Sequence, residues 1–402
     1  MARGTETTRL SVAGFVAIAV AFGPARNGFG LFLPDFREEF GLSVELSGFI
    51  ASGVQAGYLF ALAAVGLSVA RLGPRPLVVL GGLAGALGMA LVSFAGGILA
   101  LASGVILAGT SAGWSWAPYN DAADRMVPPR LQGRVLSVVS TGTTFGILAA
   151  GVVALAAGSS WRAGWILFAA AAVVGVVLNV FVLPPGRHGS YDETSGNAPG
   201  RSSRVGWFAR PESYALFTVA FSFGIFSAFY YAFAVDYVSR SGGLPGTAGP
   251  LFFIALGIAG FVGLFTGEAV SRFGLRRVLL AILVSQGISA LLLGAAPAWW
   301  PGVAISAALF GADVMLMSAL LAMWSSWVFA EQPSTGFSAT LILLGSGSVV
   351  GPAALGAFAG NFGLGAAFLV AGAISLLTIL IYAARNASPI PAKLYADRDP
   401  KA

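Results

Sequence analysis

Charged residues gather in short clusters along this chain, and between them lie apolar runs of roughly 20 to 25 residues. That spacing constrains the fold more than any motif. A helix rises about 1.5 Å per residue, so each run is long enough to cross about 30 Å of hydrocarbon. Only helices and closed barrels satisfy their backbone groups in lipid, and these runs do not alternate polar and apolar residues as barrel strands would. The pattern predicts an all-α membrane protein with twelve transmembrane helices, at roughly 10–34, 45–70, 76–96, 98–122, 134–157, 162–183, 213–238, 248–271, 277–296, 300–329, 337–360 and 364–384.

Composition agrees and removes several chemistries. Of the 402 residues 57% are hydrophobic and only 9% charged, against about 25% charged in soluble domains. There are no cysteines and one histidine, His188, in a polar segment outside the spans, so thiol nucleophiles, thiolate metal sites and His-based catalysis have almost no material. No Gly-rich phosphate loop or Ser/His pair points to an enzyme, and no protein cofactor or metal is expected. The first run follows Arg3 and Arg9 as a signal peptide would, but no small-residue cleavage site follows it, and it reads as a retained span.

The segment PPGRHGSYDETSGNAPGRSSRVGWFARP, rich in Gly, Ser, Pro and charge, reads as an exposed connector between two sets of six spans. The expected organisation is an N-terminal half at 1–183, a cytoplasmic linker at 184–212, a C-terminal half at 213–384 and a cytoplasmic tail at 385–402. Basic residues set the orientation. Loops after the second, fourth, sixth and eighth spans and both termini hold most of them, Arg71, Arg75, Arg125, Arg130, Arg134, Arg272, Arg276 and Arg277 among them, whereas the opposite side holds Arg37, Arg162 and Arg240. By the positive-inside rule both termini are cytoplasmic. The net charge of +6 then reflects topology, and no basic face with interleaved aromatics suggests a nucleic-acid partner.

The two sets are related. GLSVARLGPR at Gly66 returns as GEAVSRFGLR at Gly267, 201 positions later, and at that same offset Asp35 in FLPDF falls on Asp236 in FAVDY. In the fifth span of each set, Gly142, Gly146 and Gly151 correspond to Gly347, Gly351 and Gly356. A duplicated six-span unit accounts for these matches together.

Twelve spans in two related halves, a long polar connector and a GxxxxRxGxR phrase after the second span of each half resemble the major facilitator superfamily of secondary transporters. Gly66, Arg71, Gly73 and Arg75 match the family's phrase in the first copy, and Gly267, Arg272, Gly274, Arg276 and Arg277 in the second; the acid usual before the first arginine is replaced by Ala70 and Ser271. The resemblance implies two pseudo-symmetric six-helix bundles that rock about a central cavity, lined by the first and fourth spans of each half. It implies a gating and topology role for the matched residues. The glycines are expected to admit a close helix and the arginines to anchor the span ends, and a latch lacking both acids must be weaker or built differently.

On the implied cavity helices, Arg26 is the one basic side chain deep within a span, in AFGPARNGFGLFLP, where a charge costs about 2.5 to 3.5 kcal/mol unless it meets a cavity or partner. Pro24 beside it removes a backbone donor and can kink the helix. Arg26 suits a forked pair with a carboxylate substrate; a permanent buried pair is the other reading. Asp313 in LFGADVMLMS is the candidate for proton coupling, exchanging with Arg26, or else a fixed structural charge. Asn27, Tyr119, Asn120, Tyr230, Tyr231 and Trp324 complete the substrate-binding candidates, although hydroxyl and amide groups at span interfaces commonly serve packing. Asp35 and Asp236 read as rim charges.

These readings point to a monomeric secondary transporter in the plasma (inner) membrane, with a small-molecule substrate and the bilayer as its partners. The substrate is expected to be a small organic anion or carboxylate moved by symport with a proton. The alternative is a drug or metabolite exporter, which the aromatic content favours. Span 4, however, lacks the arginine and span 5 the Gly-Pro phrase of the family's antiporters: GSGSVVGPAALG carries Pro352 in span 11, where span 5 has Ile147. A membrane-embedded enzyme or a non-transporting receptor lacks, respectively, a catalytic set and a large soluble domain.

Overall fold

The computed structural model describes residues 2–186 and 210–385. His188, nearly all of the connector, and the tail after Arg385 lie outside the described residues. Twelve described helices are long and apolar enough to cross a membrane. They are α1 (Glu6–Leu31), α2 (Val44–Val69), α3 (Pro74–Ser93), α4 (Ile98–Met126), α5 (Pro129–Ala157), α6 (Trp161–Val182), α7 (Ser213–Ser241), α8 (Ala248–Phe273), α9 (Leu275–Ala295), α10 (Trp300–Val328), α11 (Pro333–Phe362) and α12 (Leu364–Tyr382). An even number of spans puts the first and last helices on one face with the arginine-rich loops, here called the basic face. The other is the outer face.

Packing repeats with the sequence. Helix α1 packs on α5 and α6, α2 on α4, and α3 on α4 and α6; six helices later α7 packs on α11 and α12, α8 on α10, and α9 on α10 and α12. The two bundles meet through α2 against α11 and α5 against α8, again a symmetric pair of contacts. The repeated glycines explain this geometry, because in lipid close backbone approach replaces hydrophobic burial as the glue between helices. Gly142 and Gly146 lie against the carbonyls of Phe15 and Ala19 on α1, and Gly347 and Gly351 against those of Phe221 and Ile225 on α7. The third glycine of each set reaches across to the other bundle: Gly151 meets Pro250 and Ile254 on α8, and Gly356 meets Gly48 on α2.

These cross-bundle contacts all lie in the outer half of the helices. Toward the basic face the other repeated glycines make no such contact: a Cβ added to Gly66 or Gly267 would meet nothing within 4 Å. The expectation that these two glycines admit a close neighbour is therefore corrected: in this conformation neither glycine faces an adjacent helix, although Val65 and Val270 near them are buried. Arg71, Arg272, Arg276 and Arg277 are exposed, Arg272 lying over the Phe273 ring. Gly73 and Gly274 adopt φ of 79° and 80°, a region that glycine occupies without steric cost, and they turn the chain between adjacent spans. Gly73 also packs on Gly186, whose carbonyl oxygen accepts a bond from Arg125.

Candidate functional site

Helix α1 changes its winding at mid-membrane. Ala21–Ala25 is a π-helical stretch with Pro24 inside it, after which α-helix resumes at Arg26. Proline cannot donate to the ladder, and single π-turns of this kind re-aim the side chains beside them. The Asn27 side-chain amide donates to the Phe22 carbonyl oxygen at 2.6 Å, so the break is hydrogen-bonded without water. Helix α8 is likewise interrupted, by a 3-10 segment at Phe261–Phe265. Both irregular stretches border the same space, a setting in which non-helical backbone is tolerated at membrane depth.

That space is a cavity of about 460 Å³ between the bundles. Its walls are aromatic (Phe22, Tyr58, Trp116, Phe223, Tyr231, Phe261), hydroxylic (Ser140, Thr141, Thr144, Ser227, Ser318, Thr340) and aliphatic, and Arg26 is the one charged side chain among the described residues that line it. Arg26 does not pair with Asp313. Its Nε and Nη2 donate to Oε1 of Gln55 on α2 at 3.1 and 2.8 Å, and its guanidinium lies over the Tyr58 ring, 4.0 Å from the centroid. One helical turn separates Gln55 from Tyr58, so a single face of α2 holds both the edge and the plane of the guanidinium.

The other sequence candidates divide. Asn27 and Tyr231 line the cavity beside Arg26. Tyr231 also sits at the junction of the bundles, where its carbonyl oxygen approaches Gly30 so closely that a Cβ there would lie 1.9 Å away. Tyr119, Tyr230 and Trp324 are 1%, 0% and 4% exposed and do not line the cavity. Tyr119 bonds Asn179 on α6 and the Ala13 carbonyl oxygen, Tyr230 bonds Ser306 at 2.6 Å and stacks on Phe310, and Trp324 packs edge-on against Tyr382. These three hold helices together within a bundle, and Asn120 is exposed away from the cavity.

Asp313 is buried on α10 directly before the cavity-lining Val314 and Met315, but does not itself face the space. Ser285 on α9 reaches its carboxyl group, and Oδ2 has no hydrogen-bond partner among the described residues. Gln55 is the main residue that sequence reasoning missed. An amide in the middle of an otherwise apolar span is the signal that marks it.

The outer end is closed by charge. Arg37 on the short helix Leu33–Phe40 bonds Asp236 on α7, Arg240 pairs with the same carboxylate at 3.1 Å, and Arg240 also donates to the Pro34 carbonyl oxygen. The expected rim role holds for Asp236 in position only, since its side chain is fully buried in an ion pair between the bundles. Nearby, Arg162 pairs with Glu39 at 2.6 Å and holds that carboxyl below its usual range, with Trp161 donating to it as well.

The chain is similar to known transporters in sequence and in fold. The chain is 27% identical over 357 residues to the purine ribonucleoside efflux pump NepI of Escherichia coli (strain K12), covering 86% of this chain and 84% of the relative. Against the same-named pump of Salmonella typhimurium it is 27% identical over 305 residues, 73% of each chain. Among solved structures, the nucleoside transporter NupG superposes with a TM-score of 0.74 at 14% identity, covering 96% of this chain and 100% of the other. A bacterial homolog of the human lysosomal transporter Spinster, inward-facing and unoccupied, superposes at 0.75 with 13% identity, covering 95% and 96%. At such identities these two likenesses speak to the fold alone. The family model described as Major Facilitator Superfamily matches residues 12–268, and with the paired six-helix bundles around one cavity it establishes that the chain is a multi-pass membrane transporter belonging to the major facilitator superfamily.

Proposed function

We propose that this protein exports a small, uncharged aromatic solute of the nucleoside class, by exposing its central cavity alternately to the two faces. The observation that carries this reading is the lining itself: flat aromatic walls, several hydroxyls, and a single charge whose Nε–Nη2 edge is already held by Gln55. A nucleoside offers a base that stacks on such rings and sugar hydroxyls that pair with such side chains. The sequence relatives named as purine ribonucleoside efflux pumps support the same class and the outward direction. The carboxylate symporter expected from sequence becomes the second reading, because the side of Arg26 best shaped for a forked carboxylate pair is occupied. What still favours that reading is that Arg26 has no acid beside it in the cavity wall.

In this reading the protein works as a monomer in the plasma (inner) membrane with the basic face cytoplasmic, and the ion pair of Arg37 with Asp236 bars the outer end. A proton is the coupling ion, exchanged for substrate. Asp313 is its site: it is buried, it has an unpartnered oxygen, and it lies one residue from the wall, so its protonation can be felt at the cavity without direct exchange with Arg26. The test is uptake into proteoliposomes under an imposed pH gradient. An acidic lumen should drive accumulation of radiolabelled inosine, and Asp313→Asn should abolish the response to the gradient. Accumulation of labelled carboxylates in place of nucleosides would replace this reading by the second.

A further inference from the structure

We propose that Gln55 acts as a charge filter, keeping the cavity open to neutral and anionic solutes and closed to cations. The inference rests on the cavity being the substrate site and goes beyond the nucleoside reading in assigning that exclusion to one side chain. Arg26 is held by Gln55 through a single neutral oxygen that accepts from both Nε and Nη2. A carboxylate at this position would make the same two contacts and cancel the charge; the amide makes them and leaves it. No Asp or Glu lines the rest of the cavity among the described residues. Asp313 lies behind the wall and Asp236 is neutralised at the outer end by Arg37 and Arg240.

The cavity therefore carries one uncompensated positive charge in a partly screened space between low-dielectric walls, where like-charge repulsion is stronger than at an open surface. Tyr58 adds a second constraint. Its ring covers one face of the guanidinium, so a competing organic cation would have to displace Arg26 to use that ring face. Gln55 is 6% exposed and its geometry is fixed, which makes substitution there a change of charge at nearly constant shape.

The experiment is direct binding to the purified full-length protein by scintillation proximity, with three labelled probes: inosine (neutral), benzoate (anion) and tetraphenylphosphonium (cation). The wild type should bind inosine and benzoate and exclude tetraphenylphosphonium. Gln55→Glu should weaken benzoate and strengthen tetraphenylphosphonium by at least tenfold each, read as the ratio of the two affinities within each variant so that a general loss of binding cancels, since one charge–charge contact in a partly screened site is worth more than a tenfold change. Gln55→Met, which alters shape without altering charge, should weaken inosine yet still exclude the cation; a purely structural role for Gln55 would give the two variants the same pattern. If Gln55→Glu does not fold, Arg26→Gln should relax the exclusion equally. A wild type that binds cation as tightly as anion, an unchanged preference in Gln55→Glu, or no binding of either charged probe to any variant overturns the filter. Inversion of the charge preference without any inosine binding supports the filter and removes the nucleoside reading.

Discussion

Arg37 in the first half of the chain bonds Asp236 in the second, across the outer end of the cavity. The Asp236 side chain is fully buried and Arg37 15% exposed, so this is a desolvated pair whose rupture strands a charge. Arg37→Ala should cost about 2 to 4 kcal/mol of the closed outer end, moderated by Arg240, which remains beside Asp236. The natural absence of cysteine allows a clean reading. A Ser52→Cys reporter on α2 should react with an impermeant maleimide at least fivefold faster when Arg37→Ala is added.

The repeated glycines divide into two kinds. A Cβ on Gly146 would lie 2.0 Å from the Ala19 carbonyl oxygen, whereas one on Gly66 would meet nothing within 4 Å. Gly146→Ala should therefore lower stability by about 1 to 3 kcal/mol, as overpacking does, and Gly66→Ala should leave it unchanged or raise it by about 0.5 to 1 kcal/mol through helix propensity. Thermal denaturation in one detergent compares them.

Asp35 lies outside the spans, and burial pushes its carboxyl up to about 6. A raised acid is stabilising in its protonated form. Its favourable contribution is complete below the unfolded value near 4 and is lost as pH rises through about 6. Asp35→Asn should accordingly raise stability at pH 8 by about 1 kcal/mol, after allowance for partial solvent screening, and leave it unchanged at pH 4. Melting temperatures at the two pH values check both halves of the statement.

Arg26 is held by its planar fork and by stacking on a ring face; an ammonium has no fork and, although attracted to the ring, cannot stack on it. Arg26→Lys should raise KM about tenfold, and Arg26→Ala should weaken binding at least as much. A lysine variant with unchanged KM would remove Arg26 from the site.

How much of this was legible in the sequence follows from what lipid does to a hydrophobic pattern. Span number, the two halves and the glycine repeat are written in charge spacing and in recurrence at a fixed offset, which need no knowledge of which side of a helix is buried. Which face looks inward is a different matter. Lipid and protein interior are equally apolar, so α4, α7 and α10 carry no polar stripe to distinguish cavity from core. Tyr119, Asn120, Tyr230 and Trp324 lie off the cavity in this conformation with no sequence signal to mark it, and Tyr231, one residue from Tyr230, faces the other way into the cavity. Arg26 was legible because charge at membrane depth demands a partner; that its partner is Gln55 depends on how α1 and α2 pack, which no local pattern encodes.

The central claim is that substrate occupies the space between the bundles beside Arg26. Substrate protection in the cysteine-free chain tests it most directly. Ser227→Cys and Ser318→Cys place reporters in the cavity lining on two different helices, α7 and α10, and Gly66→Cys places one outside it, where a side chain meets open space. Saturating inosine should slow methanethiosulfonate labelling at Ser227→Cys and Ser318→Cys by at least fivefold, remove that protection when Arg26→Ala is added, and leave Gly66→Cys unaffected. Equal labelling rates with and without inosine at both cavity positions would contradict the account.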